Sequence, residues 1–213
     1  MNRGSVSRSL LGYFQSNSAV YFFVIGVFVV GVLLGSLCVK VLAAEEKEEL
    51  ARYLEVFVRG LQSNQEVEAA RIMEDSLHTH LRSAAFFWVL GVTLIGLPVI
   101  VALVFTRGFI IGFAVTFLVE KLGFRGVLFS LVSIWPHSIL AVPAFIIVGA
   151  ASLSFCWLVL TSRFFAKRKV LWWDEFAGYT ALVLAMCGVL VGAAFVEGYI
   201  TPVLMRVLAG QLL

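Results

Sequence analysis

Trp135, Pro136 and His137 interrupt an almost wholly apolar run from Phe129 to Phe155, and Pro143 lies further along it. An ionisable group inside a membrane-type run is a candidate for proton or ligand chemistry. The same ring, kept neutral, can instead satisfy a backbone carbonyl that Pro136 leaves without a donor. His78 and His80 stand at i, i+2, which points them to different helix faces. No cysteine or carboxylate ligand pattern surrounds them, and the spacing argues against a metal site. Cys38, Cys156 and Cys187 lie in apolar runs, with neither metal-ligand spacing nor a disulfide framework. There is no phosphate loop and no GxSxG, and the few charges inside apolar runs form no relay. Residue chemistry thus predicts no catalytic set, no cofactor, no metal and no ion pathway.

The elements that carry these residues belong to a membrane. The chain has 213 residues, of which 61% are hydrophobic and 14% charged; a soluble domain carries about 25% charged residues. Mean hydropathy is +1.00. The net charge of +3 is less informative than the clustering of charge, which leaves uncharged runs on the scale of a span, about 20 residues. The expected fold is all-α, a polytopic bundle of about five transmembrane helices. The predicted order is a cytoplasmic segment 1–17, a first span 18–39, a polar segment 40–83 and a second span 84–105. A short third span 108–122 and a half-helix 126–135 follow, then a fourth span 138–160, a basic loop 162–175, a fifth span 176–196 and a tail 197–213. Residues 18–39 also read as a signal peptide ending near Ala43–Ala44, but the run exceeds the usual h-region of about 7–15 residues, and a retained helix is expected.

The prolines explain the half-helix. Residues 127–160 as one straight helix would measure about 50 Å, too long for the bilayer. Pro136 has no N–H to give and disfavours α geometry at Trp135, so a break is expected there, with Pro143 in the first turns of the following span. Broken backbone at membrane depth requires protein or a water-filled cavity beside it. Orientation follows from Lys and Arg. The segment 40–83 has six Lys/Arg against nine Asp/Glu, whereas Arg163, Lys167, Arg168 and Lys169 crowd the loop 162–175. That places the N-terminus and the basic loop inside, and the polar segment and the tail outside.

Within the polar segment, Leu50, Tyr53, Leu54, Phe57, Val58 and Leu61 form a helical stripe, and Ser63 with Glu66 reads as a capping box opening a second helix. The stripe of this helical hairpin buries either against the protein's own spans or against an extracytoplasmic partner. Tyr53, Phe57 and Leu61, with Tyr199 and Pro202 in the tail, are the candidate partner-binding residues. Three GxxxG pairs, Gly31–Gly35, Gly108–Gly112 and Gly188–Gly192, permit close helix approach, within one chain or between copies in a homo-oligomer.

The stretch WVLGVTLIGLPVIVALVFTRGFIIGFAVTFLVEKLGFRG (88–126), then SIWPHSILAVPAFIIVGAASLSF, then EGYITPVLM (197–205), resembles the stage II sporulation protein M family of endospore-forming bacteria. The wider family often carries a proline–histidine–glycine–isoleucine–leucine–glutamate–leucine–proline pattern. Here Ser138 replaces the glycine and Ala141 the glutamate, which fits a branch using the fold as a scaffold. The resemblance implies a non-catalytic anchor in the septal and engulfing membrane of a sporulating bacterium. It would organise two cell-wall hydrolases, stage II sporulation proteins D and P, during peptidoglycan remodelling and engulfment. The implied partners are these hydrolases and membrane lipids, with no nucleic acid. The other reading is a transporter or permease-like subunit, with residues 109–143 lining a path and the basic loop docking a cytoplasmic partner.

Overall fold

The computed structural model describes residues 18–63, 66–93, 95–165 and 172–205, with the side chains of 57–63, 66–69, 163–165 and 172 outside that description. Seven helices follow in order: α1 Ser18–Val41, α2 Ala44–Ser63, α3 Glu66–Val92, α4 Gly96–Leu122, α5 Phe124–Ser133, α6 Trp135–Phe165 and α7 Trp172–Phe195. A π-helical turn, Val196–Ile200, extends α7 into a last helical stretch, residues 201–205. The fold is an all-α polytopic membrane bundle, with no strand among the described residues. Among the described residues, four stretches are long and apolar enough to cross a membrane: Ser18–Val41, Gly96–Leu122, Trp135–Ser162 and Trp173–Met205.

Packing fixes the directions. Gly31 and Gly35 of α1 abut Phe105 and Phe109 of α4, and Ser36 Oγ donates to the Gly112 carbonyl at 3.3 Å, so α1 and α4 run parallel. Along α3 and α7, Ser76 meets Glu197, Trp88 meets Thr180 and Gly91 meets Tyr179, which makes that pair antiparallel. Cys156 reaches the Thr93 carbonyl while Arg107 lies over Phe145, so α6 runs against α4. The core is built of small and aromatic side chains, including Ala84, Phe87, Ala144, Val148, Ala151 and Leu190. The wide faces of α1 stay exposed, with Phe22, Leu33 and Leu37 each more than half accessible, as a lipid-facing helix requires.

Several boundaries differ from the sequence expectation. The chain does not break near Arg107, between the expected spans 84–105 and 108–122. It reverses between Val92 and Gly96 instead, and α4 runs unbroken through Arg107. Pro98 has no N–H to donate and stands in the first turn of α4, where none is needed, which favours a helix start there. Gly96 sits against the Leu90 carbonyl where a Cβ has no room. Arginine itself breaks nothing, being a good helix former. Likewise, no break divides 40–83 from 84–105, since α3 is continuous from Glu66 to Val92.

Gly123, with φ of +59°, ends α4 and lets α5 fold back against it, Gly126 meeting the Leu118 carbonyl. The next break falls at Ile134. α6 begins at Trp135, so Pro136 stands in the first turn, where no donor is needed, and Pro143 lies inside the helix. The tail 197–213 is helical as far as Met205. Pro202 has no N–H for the turn below it, and the helix widens there, the Thr201 N–H bonding to Val196 five residues back.

α2 starts with Glu45 and Glu46 in its first turn, and the Glu46 carboxylate accepts from the Ala43 N–H at 3.1 Å. It is held to the bundle at Leu54, which packs on Leu118, Phe129 and Met205, and by Lys47 Nζ at 2.6 Å from Glu120 Oε1. Glu120 is 41% exposed, so the ion pair is partly screened. Lys47→Met is expected to cost at most about 1 kcal/mol. The loss should shrink between 50 mM and 1 M salt in thermal unfolding of the detergent-purified protein.

Candidate functional site

Ser76, His80, Ser83 and Phe87 stand at i, i+4, i+7 and i+11 and therefore share one face of α3. That face meets Arg107 of α4, His137 of α6 and Glu197 of the π turn around a cavity of about 490 Å³. Ser76 Oγ donates to Glu197 Oε2 at 2.5 Å, and His80 Nε2 lies 3.4 Å from the same oxygen. Arg107 donates through Nη2 to Ser83 Oγ, and its guanidinium lies 4.3 Å from the centre of the Phe145 ring. His80 meets that ring edge-on at 5.7 Å. Phe145 thus lies between the guanidinium and the imidazole and holds both in place, since a cation favours an aromatic face and an imidazole edge packs well against one.

His80 is 94% buried, at 6% exposure. Its Nδ1 and that of His137 have no hydrogen-bond partner among the described residues. Buried polar atoms are ordinarily paired, so this chamber is built to receive something polar. Among the described residues no three His, Cys, Asp or Glu side chains are close enough to hold a metal ion. The chemistry on offer is therefore hydrogen bonding and charge pairing.

A second polar knot lies closer to the Thr93 end of the bundle. The Tyr179 hydroxyl is 2.9 Å from Ser152 Oγ and 3.0 Å from the Phe87 carbonyl, and its ring stacks on Phe155 at 4.8 Å. Gly91 lies under that hydroxyl, leaving no space for a Cβ. The knot joins α3, α6 and α7 and sets the register that carries His80 to Glu197.

The other residues singled out by sequence are dispersed. Tyr53 is 67% exposed on α2, beside Val56 at 69%. The side chains of Phe57 and Leu61 lie outside the described residues. Tyr199 is 43% exposed and packs on Phe195, whereas Pro202 is buried and offers no contact surface. Trp135 is largely exposed at the start of α6. The pairs Gly31–Gly35 and Gly108–Gly112 meet each other, each glycine against a backbone carbonyl of the opposite helix, while Gly188 and Gly192 have open space around them. Sequence reading left His137 isolated and put Arg107 in a loop. The polar face of α3 was the available signal, but its partners come from three other elements.

One family model, described as stage II sporulation protein M, matches residues 24–202. No curated protein and no solved structure matches the chain.

Proposed function

The chain belongs to the stage II sporulation protein M family, and from that membership we propose that this sporulation membrane protein is a non-catalytic scaffold that recruits peptidoglycan hydrolases, stage II sporulation proteins D and P, for septal thinning and engulfment. The observation that carries the reading is the free face of α2. Tyr53 and Val56 are more exposed than most of the lipid-facing side chains of α1, yet α2 is a charged helix that meets the bundle through the Lys47–Glu120 ion pair and Leu54. An exposed Tyr beside a Val, framed by charged groups, has the make-up of a protein contact. The chain directions support its placement outside. Ser18 and Ser162, each next in sequence to a basic stretch, lie at one end of the bundle, and α2 lies at the other.

The test is co-purification of the two hydrolases from sporulating cells with the intact chain and with Tyr53→Glu/Val56→Glu. Both side chains face outward, so the bundle should stay intact. Removal of residues 46–82 would be uninformative, because Ser76 and His80 belong to the interior. The expected result is at least a tenfold loss of both hydrolases at an unchanged membrane level. Undiminished recovery would remove α2 from the interface. The polar chamber favours the second reading, a permease-like subunit. That reading predicts no hydrolase with the intact chain and loss of function on changing chamber residues instead.

A further inference from the structure

The chamber is not closed. Phe28, Ile111, Ile134, Ser138 and Val142 line it and also line a second, apolar hollow of about 440 Å³ between α4 and α6. The outer rim of that hollow carries Trp135 and Ile139, 56% and 59% exposed, so it opens sideways on the surface of the bundle. A polar chamber thus continues into an apolar groove across the break at Ile134.

The charges of the chamber are unequally answered. Glu197 accepts from Ser76 and faces His80. Arg107 has Ser83 and the Phe145 ring, but among the described residues no carboxylate lies within ion-pair distance of it. A guanidinium has five N–H donors in a fork that matches the oxygens of a phosphate. His137 adds a ring nitrogen without a hydrogen-bond partner, and Ser138 adds a hydroxyl. Asp75 is exposed at the margin. Arg107 is half-buried, and Glu197 acts on it only from beyond ion-pair distance while holding Ser76, so the guanidinium keeps donors free for an anionic ligand.

We propose that this bipartite cavity binds a phosphate-bearing membrane amphiphile, its phosphate against Arg107 and His137 and its hydrocarbon chain in the groove between α4 and α6. The polar half alone would serve a free phosphate, and the apolar half alone any hydrocarbon. Their continuity through five shared side chains selects a molecule with both parts. The site is independent of the α2 surface, so it stands or falls apart from hydrolase recruitment.

The test uses the full chain purified in a neutral, phosphate-free detergent, with thermal unfolding and native mass spectrometry as readouts. The probes are phosphatidylglycerol, diacylglycerol and inorganic phosphate. Phosphatidylglycerol is expected to remain bound one per chain and to raise the unfolding temperature by several degrees, with diacylglycerol and millimolar phosphate each giving less than a third of that shift. Arg107→Gln should weaken phosphatidylglycerol binding at least tenfold. Ile139→Trp, a change on the exposed rim that leaves Arg107 in place, should do the same by filling the groove, and it decides the matter if Arg107→Gln does not accumulate. Equal stabilisation by inorganic phosphate would overturn the amphiphile in favour of a free anion. Equal stabilisation by diacylglycerol, or retention undiminished in both variants, would overturn the site.

Discussion

Gly112→Val should prevent the protein from accumulating as a folded monomer, and Gly35→Val should do the same. A Cβ on Gly112 would strike the Val32 carbonyl, and one on Gly35 would strike the Phe109 carbonyl. These are backbone atoms of facing helices, which cannot rotate aside as a side chain does. Overpacking against side chains costs roughly 1–3 kcal/mol, and a backbone clash belongs at or above the upper end. At about 1.4 kcal/mol per tenfold, the folded population should fall on the order of a hundredfold. The helices cannot simply part, because Ser36 bonds to Gly112 itself and Val24 and Val104 pack together beneath Gly149. Fluorescence-detected gel filtration of the solubilised variants reads this directly. Gly188→Val is the matched control: nothing lies within 4 Å of a Cβ there, so its peak should equal the wild type. If Gly112→Val behaves like Gly188→Val, the α1–α4 contact is not as close as described.

Tyr179→Phe is expected to lower stability by about 1–3 kcal/mol, a ten- to hundredfold change in folded population. The ring stays on Phe155, so the loss is that of the hydroxyl alone. Ser152, fully buried, is then left without its partner in surroundings that hold little water. Because the cost comes from the orphaned group, Tyr179→Phe/Ser152→Ala should recover most of it. Unfolding temperatures of the three proteins in one detergent give the comparison. A double variant no more stable than the single one would mean the knot is not the source of the loss.

The helical class and the membrane setting were legible from hydropathy, because an uncharged run of span length has few other uses. The helix of α2 was also legible; of its expected stripe Leu54 packs inward, Tyr53 faces out, and the side chains of Phe57, Val58 and Leu61 lie outside the described residues. Two features were hidden for physical reasons. A charge in an apolar run reads as the edge of a span, yet Arg107 lies within a helix because a chamber exists to hold its head group. The polar groups of that chamber come from four elements, with His80 and Glu197 far apart in sequence, and no window along the chain contains them. The glycine pairs fall between these cases. Their spacing announced close approach, but only the packing distinguishes the two pairs that meet from the one that faces open space.

The polar face of α3 has a consequence for how the protein is made. The helix carries Glu74, Asp75, His78, His80 and Arg82, and each charged group left facing lipid at mid-depth costs about 2.5–3.5 kcal/mol on insertion scales. Emerging alone from the ribosome, this segment is a poor candidate for release into lipid. Gly96–Leu122 follows after three intervening residues in the sequence and is apolar enough to enter by itself. Synthesis therefore favours delivery of α3 and α4 together as a hairpin, the second helix drawing in the first. Glu197, the carboxylate that answers His80, is translated more than a hundred residues later. Until it arrives the inner face of α3 lacks its acidic partner, so the nascent chain has reason to stay with the insertion machinery until its last helix is made.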